Sequence, residues 1–214
     1  MMSGEYSAIL VLVVITNFYI LNTSRYIISA RAIALQGCLL SLLPLPDAFA
    51  GSPQAMFLSA GTLMVKGILM PVILIRAIRS TDEFRVAQPF LGHVASVLLG
   101  FVILVAAFWA GAAIPLPTRP HDVLMGAVGL ATILTGMMIM VNRRKAVGQV
   151  IGFLILENGI LILSLRISRG LPFVIEMAIL FDVLLAAMIF GGFIQSVHET
   201  FSHTDVSRMR KLKG

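Results

Sequence analysis

Seven runs of mostly apolar residues follow one another along the chain, at about 6–23, 27–46, 54–76, 91–115, 122–141, 146–166 and 172–197. A run of about twenty apolar residues, at 1.5 Å rise per residue, matches a bilayer core of about 30 Å. Inside hydrocarbon the backbone must satisfy its own hydrogen bonds, and a helix does so within one segment. The expected fold is therefore all-α, a polytopic transmembrane helix bundle of about seven spans. Charged residues make up only 12% of the 214 residues, about half the share in an average soluble domain. That leaves no room for a separate soluble domain.

The connections carry the charge. Three basic residues, Arg119, Arg166 and Arg169, fall on the side of the second, fourth and sixth connections. Twelve fall on the other side: Arg25, Arg31, Arg76, Arg79, Arg85, Arg143, Arg144, Lys145, Arg208, Arg210, Lys211 and Lys213. The positive-inside rule then puts the N-terminus outside and the C-terminus in the cytoplasm. Membrane orientation, with lipid as partner, accounts for the net charge of +6 better than nucleic acid does. The opening MMSGEYS has no Lys or Arg, so the first run reads as a mature span rather than a signal peptide. Cys38 is the only cysteine, which excludes an intramolecular disulfide and a cysteine-held cluster.

Against this apolar background the ionisable residues inside the spans stand out. In QVIGFLILENGILILSLR, Glu157 and Asn158 sit mid-helix, with Glu157 about 12 residues from the inner end, roughly 18 Å deep. Asp182 lies roughly 15 Å from the outer end of the last span, and Lys66 is central in the third. A carboxylate at the bilayer centre costs about 2.5–3.5 kcal/mol or more, and its default reading is functional. Three such groups at a common depth suggest a proton or ion path; Glu176 is either an outer entry group of it or an interfacial carboxylate near Arg169. The competing reading is a buried pair, Lys66 with Glu157 or Asp182, that only fixes packing. No phosphate loop, nucleophile elbow, zinc motif or haem-ligand pair is present, so no active site is expected in the chain.

Spans one to three and five to seven follow a similar plan. Each second helix is polar at its middle (Gln36; Glu157 with Asn158), and each third carries one central ionisable residue (Lys66; Asp182). This suggests a parallel three-helix repeat. It divides the chain into an N-terminal unit at 1–90, a linking helix at 91–121 and a second unit with a basic tail at 122–214. Glycines in spans three, five and seven, among them Gly61, Gly129 and Gly136, point to close helix packing, inside the subunit or against neighbours.

The C-terminal part, NRRKAVGQVIGFLILENGILILSL through FDVLLAAMIFGGFIQSVHET, resembles the three-helix K subunit of respiratory complex I and the C subunit of multisubunit Na+/H+ antiporters. In that family a basic link precedes a helix with a central Glu, and the next helix carries a second buried carboxylate. Glu157 takes the first position; Asp182 stands where the complex I subunit has Glu. Over its whole length the chain is most similar to the E component of hydrogenase-4. The match rests on VKGILMPVILIRAIR, GQVIGFLILENG and VIEMAILFDVLLAAMI, which contain Lys66, Glu157, Glu176 and Asp182. The resemblance implies a non-catalytic, multi-pass subunit in a bacterial or archaeal cell (inner) membrane. Its partners would be antiporter-like membrane subunits and a peripheral hydrogenase arm. Those subunits would hold the nickel-iron centre and the iron–sulfur clusters, with no cofactor in this chain. The alternatives it leaves are an antiporter-complex subunit and a structural scaffold of the membrane arm.

Overall fold

A computed structural model describes residues 2–80, 90–113 and 120–167. Among these residues the chain is almost wholly helical, with no strands: α1 (Met2–Asn22), α2 (Tyr26–Ser41), α3 (Leu45–Phe49), α4 (Pro53–Thr62), a π-helical segment (Leu63–Leu69), α5 (Met70–Ser80), α6 (His93–Ala113), α7 (Pro120–Asn142) and α8 (Ala146–Ile167). Five helical stretches are long and apolar enough to cross a membrane: Tyr26–Phe49, Pro53–Arg79, His93–Gly111, Val123–Asn142 and Ala146–Leu165. Tyr6–Asn22 is a shorter apolar helix of 17 residues. The expected seventh run, 172–197, lies outside the described residues.

Local chemistry sets the breaks. The second run was expected to continue to residue 46, but α2 ends at Ser41 and the chain turns through Leu42–Pro44 before the short α3. Pro44 and Pro46 cannot supply the N–H groups that a continuing helix needs. Gly51 has φ +95°, a left-handed conformation that glycine adopts without steric cost. The chain reverses there into Ser52, whose hydroxyl accepts the Ala55 N–H at 3.4 Å, with Pro53 at the first helical position.

The buried side chains form two apolar clusters with a polar layer between them. One cluster holds Leu10 and Val13 of α1, Leu40 of α2, Leu58 of α4, Met125 and Val128 of α7, and Leu161 and Ile162 of α8. The other holds Ile20, Tyr26, Ile33, Met70, Leu74, Ile139, Ile151 and Ile155 from the opposite halves of the same bundle. Between the two clusters these helices place buried polar residues: Thr16 and Asn17, Gln36, Lys66, Thr132, and Glu157 with Asn158.

Helices α7 and α8 are the most closely packed, and the reason is glycine on both. A Cβ on Gly136 would lie 2.5 Å from the Leu156 nitrogen and 2.6 Å from the Gly152 oxygen, and one on Gly159 would lie 2.7 Å from the Gly129 oxygen. Backbones this close make dispersion and Cα–H···O contacts that lipid cannot replace. Gly136→Ala is therefore expected to lower stability by about 1–3 kcal/mol. Gly61 differs: among the described residues nothing lies within 4 Å of a Cβ placed there, which leaves packing against a neighbouring subunit as its expected use. Gly61→Ala is expected to be neutral or to stabilise by up to about 1 kcal/mol through helix propensity. Thermal unfolding of both variants in detergent checks the contrast.

Three connections meet at one end of the bundle. Ser24 Oγ hydrogen-bonds His93 Nε2 at 2.7 Å. The Phe90 and Leu91 N–H groups donate to the Asn142 carbonyl (2.9 Å) and side-chain oxygen (2.7 Å), and Asn142 donates on to Ser96. The Arg143 guanidinium is buried and donates to the Thr23 carbonyl at 3.0 Å and the Ile20 carbonyl at 3.4 Å, capping the last turn of α1. Burial holds this guanidinium below its ordinary pKa, with the Tyr26 phenol opposing. Arg144 stacks over Phe90 at 4.4 Å. The links that the charge count put on one side thus share one end, with Arg25, Arg143, Arg144 and Lys145 there.

Candidate ion-path site

The polar layer is built on α8. Between Gln149 and Ser164 its only polar side chains are at the middle, where Glu157 and Asn158 are adjacent and both buried. Neighbouring helix positions point about 100° apart around the axis, so the two side chains address different neighbours. Glu157 meets Lys66: Nζ lies 3.3 Å from Oε2, with both side chains about 95% shielded. Asn158 meets α2, where its Nδ2 donates to Gln36 Oε1 at 3.0 Å.

Lys66 sits in the π-helical segment, seven residues long, inside what the sequence reads as one straight span. The Met70 N–H bonds the Val65 carbonyl, five residues back, and Pro71 next to it has no N–H. The wide register widens the helix where the lysine leaves it. Such π turns occur often at functional sites. Gly37 faces this segment: a Cβ there would lie 2.5 Å from the Lys66 carbonyl carbon. The two backbones cross in contact at the level of the ion pair.

From Asn158 the hydrogen bonds continue in one direction. Gln36 Nε2 donates to Asn17 Oδ1 (2.7 Å) and Thr16 Oγ1 (2.9 Å). Asn17 Nδ2 donates to Thr132 Oγ1 (2.9 Å), and that hydroxyl donates to the Val128 carbonyl (2.7 Å). Amides and hydroxyls from α8, α2, α1 and α7 thus form one satisfied chain beside the charged pair. A fully satisfied buried network rigidifies and fixes register.

Of the residues singled out in the sequence, Lys66 and Glu157 come together, and Gln36 and Asn158 join them. Asp182 and Glu176 lie outside the described residues. Sequence reasoning missed Asn17, Thr16 and Thr132. One Asn and two Thr barely lower the mean hydropathy of an apolar run, and only Gln36 and Asn158, amides at the centres of their spans, signalled the network. Among the described residues no group of three His, Cys, Asp or Glu is placed to hold a metal ion.

No family model matches the chain, and no solved structure does. An uncharacterized protein of Mycobacterium tuberculosis is 27% identical over 187 residues, covering 86% of this chain and 84% of that protein. Hydrogenase-4 component E of Escherichia coli, and that of Shigella flexneri, are 24% identical over 205 residues, covering 95% of this chain and 94% of the relative. At that identity and coverage, the chain is a distant homologue of hydrogenase-4 component E.

Proposed function

We propose that this chain is a non-catalytic, multi-pass membrane subunit of a hydrogenase-4-like, complex-I-related assembly. It contributes buried carboxylates to a proton (or sodium) path driven by redox chemistry in partner subunits. One observation carries the reading: a chain homologous over nearly its whole length to hydrogenase-4 component E holds a carboxylate and an ammonium 3.3 Å apart at the centre of its apolar bundle. Neither charge is stable there alone. Protonating Glu157 removes the anion that lies 3.3 Å from the Lys66 ammonium, so the protonation state of one residue changes the electrostatics of its surroundings. Asp182 and Glu176 are the further acids of the path in this proposal. The nickel-iron centre and iron–sulfur clusters belong to partners. The parallel repeat has support in the contacts: Asn17 with Thr132 joins the first helices of the two units, and Gln36 with Asn158 joins the second.

The pair itself favours a second reading, a scaffold in which Lys66 and Glu157 only neutralise each other. An antiporter-complex subunit, with the same physics and no redox partner, is the third. Mild-detergent purification of the tagged protein, with mass spectrometry of what comes with it, tests the assembly. Recovery of a nickel-iron subunit with antiporter-like membrane proteins is the expected result. Antiporter-like companions without a redox subunit move the assignment to the antiporter, and recovery of the chain alone overturns both.

A further inference from the structure

We propose that the adjacent residues Gln36 and Gly37 of α2 are positioning residues that set the separation of Lys66 and Glu157. Each touches the surroundings of one member of the pair. Gln36 is fully buried, and its Oε1 holds Nδ2 of Asn158, the residue next to Glu157, so it fixes the rotation of the middle turn of α8. It is anchored in turn, since its Nε2 donates to Asn17 and Thr16 of α1. Gly37 meets the other member. A Cβ there would lie 2.5 Å from the Lys66 carbonyl carbon, 2.6 Å from the Lys66 carbonyl oxygen and 2.8 Å from the Gly67 nitrogen. These are backbone atoms, which cannot rotate away as a side chain does. The seven π-helical residues around Lys66 lack the usual i to i−4 register, so the lysine's height and tilt depend on what its backbone rests against. Because residues i and i+1 of a helix diverge by about 100°, one turn of α2 reaches both α8 and the π segment at the same level. The inference rests on the reading above that Glu157 is the working carboxylate.

A carbodiimide tests it. Dicyclohexylcarbodiimide, which partitions into membranes, adds to the Glu157 carboxyl to give an O-acylisourea. The neutral Lys66 amine attacks its acyl carbon, an amide bond forms as the acyl C–O bond breaks, and dicyclohexylurea leaves carrying the proton that the amine loses. Peptide mass spectrometry counts the cross-link in membranes that hold the assembled protein. Misplacing two reacting groups by about 1 Å can cost about a hundredfold. Gln36→Leu and Gly37→Ala are each expected to lower the Lys66–Glu157 cross-link at least about tenfold. They are also expected to move the infrared carboxyl bands of Glu157, identified by their loss in Glu157→Gln. A merely structural role would change melting and leave those bands in place. Wild-type yield and bands in both variants overturn the inference while the Lys66–Glu157 pair stands. Absence of the cross-link in the wild type overturns the pair and this inference with it. Gln36→Met, closer in length, replaces Gln36→Leu if that variant does not accumulate.

Discussion

Glu157→Gln, in a complex that assembles fully, is expected to lower ion translocation by about two orders of magnitude, within the 10²–10⁴ range over which proton-transferring side chains act. The substitution keeps shape and volume, so α8 still packs against α7 through Gly136, Gly152 and Gly159. It also leaves an oxygen within reach of Lys66. What it removes is a group that can take up and release a proton. Glu157→Asp keeps the carboxylate but shortens its reach, and an intermediate rate is expected because the 3.3 Å contact is stretched. Glu157→Ala is a poor test, since a cavity in a buried layer confounds packing with chemistry. The assay is acidification (or sodium uptake) in sealed vesicles driven by the redox partner, with assembly followed on native gels. Full translocation by an assembled Glu157→Gln complex sinks the path.

How much of this was legible in the sequence depends on which interaction fixes each feature. Helix existence is fixed by bilayer length. The run read at 146–166 is α8 at Ala146–Ile167, and that at 91–115 is α6 at His93–Ala113. Interruptions inside runs are fixed by backbone donors and were blurred: hydropathy averages across the break after Ser41 and across the π segment around Lys66. Pro71 sits in the third span, but a proline does not say whether the helix kinks or widens, and hydropathy reads the run as one straight helix. Within the site, Lys66 and Glu157 were visible because a charge in hydrocarbon is costly wherever it points. Which acid the lysine meets was not, since that depends on helix order in space. Asn17 and Thr132 were invisible for a different reason: alone each is tolerable in an apolar helix, and only hydrogen bonds between helices, such as the 2.9 Å bond across α1 and α7, give them a role. The glycines show the same limit. Composition marked Gly61 and Gly136 alike, whereas among the described residues only Gly136 is met by a neighbouring helix.

Lys66→Met is expected to be the most destabilising single change in the bundle, by about 3–5 kcal/mol, because it removes one partner of a buried pair and leaves the other's charge inside. The Coulomb attraction at 3.3 Å is about 5 kcal/mol at an effective dielectric near 20, far above the 0–1 kcal/mol of an exposed pair. That attraction is offset by desolvation, so the pair as a whole contributes much less than either deletion suggests. The sharper measurement is therefore a double-mutant cycle. Lys66→Met combined with Glu157→Gln removes both charges of the pair and is expected to regain most of the stability that Lys66→Met loses. A coupling energy of about 1–3 kcal/mol is anticipated from denaturant unfolding in mixed micelles. Purely additive effects would show that the two groups do not act as a pair. The same double variant also separates scaffold from path. A scaffold needs only neutrality, so restoring stability should restore full activity of the assembled complex. A path needs a titrating carboxylate, so the stable double variant should still fail to move ions.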